Sequence, residues 1–169
     1  EPNTYFYSYP PNLPEDIILH TIYERGIEVL ENNGYSQYEV SAFAQKSKNS
    51  SHNCNYWNFG DYIGIGAGAH GKLTMPVDNR LVRSKKLKQP NNYMNKIQSE
   101  VTQLNEILIE ERAVEFLMNA LRLRKGFSRH LFEKRTGIEF GEISKKLTTL
   151  IENELIQIKS INGESFYSA

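Results

Sequence analysis

Residues 51–71 read SHNCNYWNFGDYIGIGAGAHG, and bring together one imidazole (His52), two large aromatic side chains (Tyr56, Trp57) and five glycines (Gly60, Gly64, Gly66, Gly68, Gly71). A residue without Cβ lets its backbone approach another molecule, or another stretch of chain, closely. The run therefore has two readings: a loop that faces a ligand, or a tight crossing where side chains do not fit. Gly66 to Gly71 spells G-x-G-x-x-G after the strand-like Tyr62–Ile65. The dinucleotide fingerprint also needs a helix to open there and an acid about twenty residues on. Instead, Lys72 to Met75 reads as a strand, and Gln89, Pro90 and Asn91 stand where the acid belongs. That excludes a Rossmann site. What remains is a strand entering the loop Ile65, Gly66, Ala67, Gly68, Ala69 and His70, whose unpaired amides and carbonyls can hold polar ligand groups.

His52 is either a hydrogen-bonded structural residue or a metal ligand, imidazole being a frequent ligand of metals and of haem iron. Tyr56 and Trp57 can cover the face of a flat apolar macrocycle or plug one end of a barrel. Asn53 and Asn55 can fix the local turn. No basic residue flanks Cys54 to lower its pKa, so its thiol reads as incidental. His70 is a second candidate, and His20 and His130 read as structural or exposed.

Composition narrows the classes. The 169 residues carry 20 basic and 20 acidic side chains and no net charge, which argues against a protein that mainly grips nucleic-acid phosphates. One cysteine makes no internal disulfide and cannot hold an iron–sulfur cluster, and it fits a reducing, cytoplasmic setting. No apolar run approaches the ~20 residues of a membrane span. The N-terminal residues lack the basic-then-apolar order of a signal peptide. A soluble, untargeted chain is expected.

Working outward, Pro14, Glu15 and Asp16 open a helix whose apolar positions Ile18, Ile22 and Val29 recur at three-and-four spacing until Asn33-Gly34. A strand over Tyr38–Phe43 and a polar loop over Gln45–Ser51 follow, the helix-then-strand step of an α/β unit. Beyond the glycines, Lys72–Met75 and Arg80–Ser84 predict a hairpin turning near Asp78-Asn79. Arg83 to Lys88 reads as a basic surface loop, and Pro90 opens a short helix with Tyr93, Met94 and Ile97. Residues 1–104 and 105–169 divide into two domains on this reading.

The second predicts helices over Leu108–Lys125, Ser128–Lys134 and Gly141–Asn153, then strands Leu155–Ser160 and Glu164–Tyr167 joined at Asn162-Gly163. Three helices and a terminal hairpin form a winged-helix-like α+β domain. Its third helix mixes Lys145 and Lys146 with Glu142 and Glu152, so it reads as a packing module and not as a DNA reader. Salt-dependent duplex binding by residues 105–169 is what a nucleic-acid role would require.

Together Glu1-Pro-Asn-Thr, Tyr35, Tyr38-Glu39-Val40-Ser41-Ala42-Phe43-Ala44, His52-Asn53-Cys54-Asn55-Tyr56-Trp57 and Asp61 to Gly71 resemble the C-terminal half of the radical-SAM haem chaperones. These are relatives of the oxygen-independent coproporphyrinogen III oxidases. The resemblance spans the chain, since Arg112–Ala169 is similar to the family's small C-terminal domain. The H-N-x-x-Y-W segment resembles the chaperone branch more than the oxidase branch, which stands as the alternative.

The resemblance implies an α/β architecture, an incomplete radical-SAM TIM-like barrel followed by the winged-helix-like domain. It also implies S-adenosylmethionine (SAM), a [4Fe–4S] cluster and transfer of haem to acceptor proteins, with possible weak membrane association of the whole protein and no nucleic acid. His52 matches the haem-ligating histidine, with Tyr56 and Trp57 beside it. Ile65, Gly66, Ala67, Gly68, Ala69 and His70 match the loop that reaches SAM. The family's C-x-x-x-C-x-x-C motif and upstream strands are absent from this sequence. The chain is therefore expected to be part of a longer protein whose other half-barrel supplies them, and to perform no radical chemistry alone.

Overall fold

Helix capping and proline placement set the first elements. The structure, a computed structural model, describes residues 2–169, the side chains of residues 98 and 99 excepted. Glu1, part of the Glu1-Pro-Asn-Thr match, lies outside the described residues. Thr4 caps the short helix α1 (Tyr5–Ser8), its Oγ1 accepting from the Tyr7 amide at 3.2 Å. Helix α2 (Asp16–Asn32) ends at Asn33 and Gly34, the latter at φ 78°, as the sequence predicts. Its apolar stripe meets no core among the described residues: Ile22 is 58% and Val29 61% exposed, and only Ile27 and Leu30 are half-buried.

The single strand expected over Tyr38–Phe43 is instead a hairpin, β1 (Tyr35–Glu39) and β2 (Ala42–Gln45), turning at Val40 and Ser41. Tertiary pairing breaks it there. The Val40 amide donates to the Arg122 carbonyl and the Arg124 amide to the Tyr38 carbonyl, both at 3.0 Å, so residues 122–124 occupy the free edge of β1. The same pairing shortens the next long helix. The sequence reads helix to Lys125, but α6 (Ile109–Ala120) stops early because Arg122 to Arg124 extend along β1.

Helix α3 (Ser51–Trp57) precedes the glycine run. The predicted hairpin is present as β3 (His70–Met75) and β4 (Arg80–Lys86), with Asn79 at φ 51° in the turn. Residues 83–86, read as part of a surface loop, are the end of β4. Helices α4 (Pro90–Asn95) and α5 (Gln98–Val101) lead to β5 (Thr102–Ile107), which completes the antiparallel order β3-β4-β5. Strand β5 leaves little trace in the sequence because only Ile107 is buried while Leu104 is 64% exposed, so no apolar alternation marks it. All described strand pairs are antiparallel.

After α6 come β6 (Phe127–Ser128), α7 (Arg129–Thr136), α8 (Gly141–Glu152), β7 (Gln157–Ile161) and β8 (Glu164–Ser168), with sheet order β6-β8-β7. Ser128 caps α7 and Gly137, at φ 71°, ends it, as expected. The core centres on Phe116, whose ring meets Phe127 at 5.1 Å, Phe132 at 5.2 Å and Phe59 at 6.0 Å, all edge-on. Such pairs contribute about 0.5–1.5 kcal/mol each beyond their burial. One cluster joins Phe59, Leu81 and Ile107 to Phe116, Phe127, Phe132, Ile143 and Leu147. The 104/105 division falls inside β5. The result is a mixed α/β fold in which the end of α3 is fastened to the C-terminal helices.

Candidate functional site

Helix α3 forms because Ser50 caps it: its Oγ accepts from the Asn53 amide at 3.2 Å. His52 sits in the first turn, exposed, and among the described residues its imidazole makes no hydrogen bond or ion pair. Tyr56 follows four residues later on the same side of the helix. Asn53 and Asn55 fix the local geometry, as the sequence predicts. The Asn53 side-chain Nδ2 donates to the Tyr38 hydroxyl at 3.3 Å, tying α3 to β1, and the Asn55 side chain donates to the Asp61 carbonyl at 2.9 Å. A side chain at Gly60 would overlap Asn55, so that glycine serves close approach.

The aromatic pair is half-buried and packed. Tyr56 meets Trp57 edge-on at 4.8 Å and Tyr62 at 5.0 Å. The Arg122 guanidinium lies 4.3 Å from the Trp57 ring centre and its Nη2 is 3.8 Å from Oε2 of the buried Glu39. One face of the indole is therefore covered by a cation, and among the described residues its Nε1–H has no partner. Burial pushes the Tyr62 hydroxyl's pKa up, and neighbouring Tyr56 adds to this while Arg83 opposes it.

The glycine run divides between its two readings. Tyr62 and Lys72 exchange backbone hydrogen bonds, both at 2.9 Å, so the segment before the run lies against β3. A Cβ at Gly64 would overlap the His70 carbonyl, and one at Gly71 would press on Ser84 and Tyr62: these two are packing crossings. Gly66 differs, with open space around it and φ 103°. The strand expected over Tyr62–Ile65 is reduced to the bridge at Tyr62, and Ile63 and Ile65 are 77% and 87% exposed. Not all loop amides are free: Gly68 N–H donates to the Leu87 carbonyl at 2.7 Å and Ala69 N–H to the Gly66 carbonyl at 3.2 Å. His70 is exposed at the start of β3. Among the described residues no hydrogen bond or ring contact joins His52 to the 65–70 loop.

Beside the bridge at Tyr62 lies a pair the sequence reading does not single out. Lys72 is 2% exposed, and its ammonium donates to the Phe59 carbonyl and to Asp61 Oδ1, both at 3.0 Å, with the Phe59 ring centre 4.3 Å away. Asp61 also accepts from the Thr74 amide at 2.9 Å and from the Thr74 hydroxyl at 2.8 Å. Burial lowers the Lys72 pKa against the pull of Asp61. Burial pushes Asp61 up, but the Thr74 and Lys72 hydrogen bonds outweigh it and hold the carboxyl below its ordinary value. Lysine is ordinarily exposed, so nothing in the spacing marks residue 72 as interior. Arg83, likewise read as surface, is half-buried and ion-paired with Glu115 of α6.

Comparison with known proteins bears on this arrangement. Residues 109–160 match the family described as the HemN C-terminal domain. The chain is 39% identical over 163 residues to a protein of Haemophilus influenzae named heme chaperone HemW, an alignment covering 92% of this chain and 40% of that protein. It is 44% identical over 138 residues to the Escherichia coli protein of the same name, covering 82% and 36%. The chain is HemW-like. A zebrafish (Danio rerio) relative, radical S-adenosyl methionine domain-containing protein 1, mitochondrial, is 31% identical over 131 residues, covering 72% of this chain and 29% of its own length. The chain thus spans about 40% of the length of the HemW proteins it matches. No solved structure gave a significant match. Among the described residues no helix is long and apolar enough to cross a membrane.

Proposed function

We propose that this chain is the C-terminal part of a haem chaperone, one that binds haem and passes it to acceptor proteins in the cytoplasm. The observation that carries the reading is the free, exposed imidazole of His52 in a HemW-like sequence. As cargo, haem iron takes a neutral imidazole nitrogen as axial ligand, and His52 fits because no internal partner competes for it. Tyr56 and Trp57 then anchor the helix that carries His52 by packing on each other and on Tyr62; the Arg122 cover on Trp57 is incompatible with an open stacking face on both sides.

The loop Ile65, Gly66, Ala67, Gly68, Ala69 and His70 forms one wall of a SAM pocket, with the open Gly66 and exposed Ile65 available and the Gly68 and Ala69 amides already engaged. A [4Fe–4S] cluster does not fit this chain's residues. Cys54 is its single cysteine, and the described residues hold no group of three His, Cys, Asp or Glu side chains able to grip a metal. The cluster, where present, is held by the other half of the barrel, which would also cover the apolar stripe of α2. Residues 105–169 act as a winged-helix-like packing unit rather than a nucleic-acid reader, in keeping with the absence of net charge on the chain.

Haem titration followed in the Soret region tests the reading. The chain is expected to shift the haem Soret band as imidazole ligation of the iron does, a shift that His52→Ala loses, with weaker binding. Equal spectra and equal affinity in the two proteins would remove His52 from the site.

A further inference from the structure

A cavity of about 650 Å³ opens on the other side of α3. Cys54 and Asn58, four residues apart, line it, whereas His52 and Tyr56 lie on a different side of the helix. Its other walls include Tyr38 of β1, the segment 123–126, α7 and Phe166 of β8. Its size is within the range of small-molecule sites, which join apolar walls to a few convergent polar groups. Leu123 and Phe166 are buried and supply the apolar wall.

The charged lining is one-sided. Arg124, Lys125 and Arg135 line the cavity against a single carboxylate, Glu164. Among the described residues none of these three cations has an ion-pair partner, although Lys72, Arg80, Arg83, Arg122 and Arg129 all have one. The Lys125 ammonium is held 4.4 Å over the Phe166 ring and so stays at the wall. The Arg135 Nε–H is buried and, among the described residues, has no hydrogen-bond acceptor. A buried donor left unpaired costs about 1–3 kcal/mol and calls for an acceptor. A cleft lined with one sign of charge raises the local concentration of ions of the opposite sign.

We propose that this cavity binds a small organic anion, with its carboxylate or phosphate held by Arg135 and Lys125 and its apolar body against Leu123 and Phe166. The site is separate from His52, so it stands whether or not the chain carries haem. Calorimetric titration of the chain with phenyl phosphate and with benzoate, and with benzyl alcohol as the uncharged counterpart, tests it. Saturable binding of at least one anion and none of the alcohol is expected, and the tighter anion identifies the oxyanion recognised. Lys125→Gln and Arg135→Gln are each expected to weaken that binding about tenfold or more, as loss of a charged hydrogen bond does, while Arg25→Gln, on α2, leaves it unchanged. Lys125 is exposed, so its variant keeps the test decisive even if Arg135→Gln fails to fold. Failure of both anions to bind at millimolar concentration would overturn the proposal, as would wild-type affinity in Lys125→Gln.

Discussion

Replacing Asp61 by Asn probes the buried Lys72 pair, because it keeps an oxygen acceptor for the Thr74 groups but removes the charge beside an ammonium that is 2% exposed. Removing one partner of a fully buried pair costs about 3–5 kcal/mol. Asp61 is 37% exposed, so solvent screening reduces the figure, and about 2 kcal/mol is expected. For a chain of this size that is a fall in Tm of about 4–8 °C. The pH dependence carries the more specific signature. The folded-state pKa of Asp61 lies below its unfolded value, so its stabilisation is complete above the unfolded value and is lost as pH falls through the folded one. Wild type should therefore show an acid limb that the variant lacks. Lys72 has an imbalance of the same sign at higher pH: its folded pKa is lowered, so the unfolded chain binds more protons between the two values and stability rises with pH there too. Without Asp61 that rise should begin at lower pH. Thermal unfolding from acid to alkaline pH gives both limbs. A loss below about 0.5 kcal/mol, which is ordinary for a surface change, or an unchanged acid limb, would refute the reasoning.

Gly64→Ala should destabilise the chain by about 2–3 kcal/mol, since the new methyl meets the His70 backbone. Gly66→Ala has room and incurs only conformational strain, about 1–2 kcal/mol; urea unfolding that reversed this order would contradict the division of the glycine run. Phe116→Ala removes the centre of the aromatic cluster and should cost about 3–5 kcal/mol, read as a lower denaturant midpoint. Ile22→Asp, on the open stripe of α2, should change the chain's own stability by no more than about 0.5 kcal/mol, and a larger loss in the melting curve would mean that the stripe is covered.

The elements legible in the sequence are those whose signals are local. Ser128, Gly137 and Asn162-Gly163 mark caps and a turn that depend on nothing distant, and α7, α8 and the last hairpin follow from them. What the sequence hid depends on partners far along the chain. Residues 121–125 have helical composition, yet they run beside β1 because its edge needs hydrogen bonds. Strand β5 is specified by pairing with β4 rather than by its own pattern. At the site, His52 is recognisable as a residue type with aromatic neighbours, but the Arg122 cover on Trp57 depends on the course of that same segment. Lys72 was hidden because its burial rests on Asp61, Phe59 and Thr74 converging across the bridge at Tyr62.

The open stripe of α2 also has a kinetic meaning. A helix of 17 residues with β-branched Ile17, Ile18, Thr21 and Ile22 and a central Gly26 is marginal as an isolated peptide, and only Ile27 and Leu30 are even half-buried. Amide protons of α2 should exchange through local opening, on a timescale set by helix–coil equilibrium, while those of α6 wait for global unfolding. The polypeptide would then hold two cooperative units of unequal free energy, and whatever covers the stripe would raise the protection of the weaker one without altering the stronger.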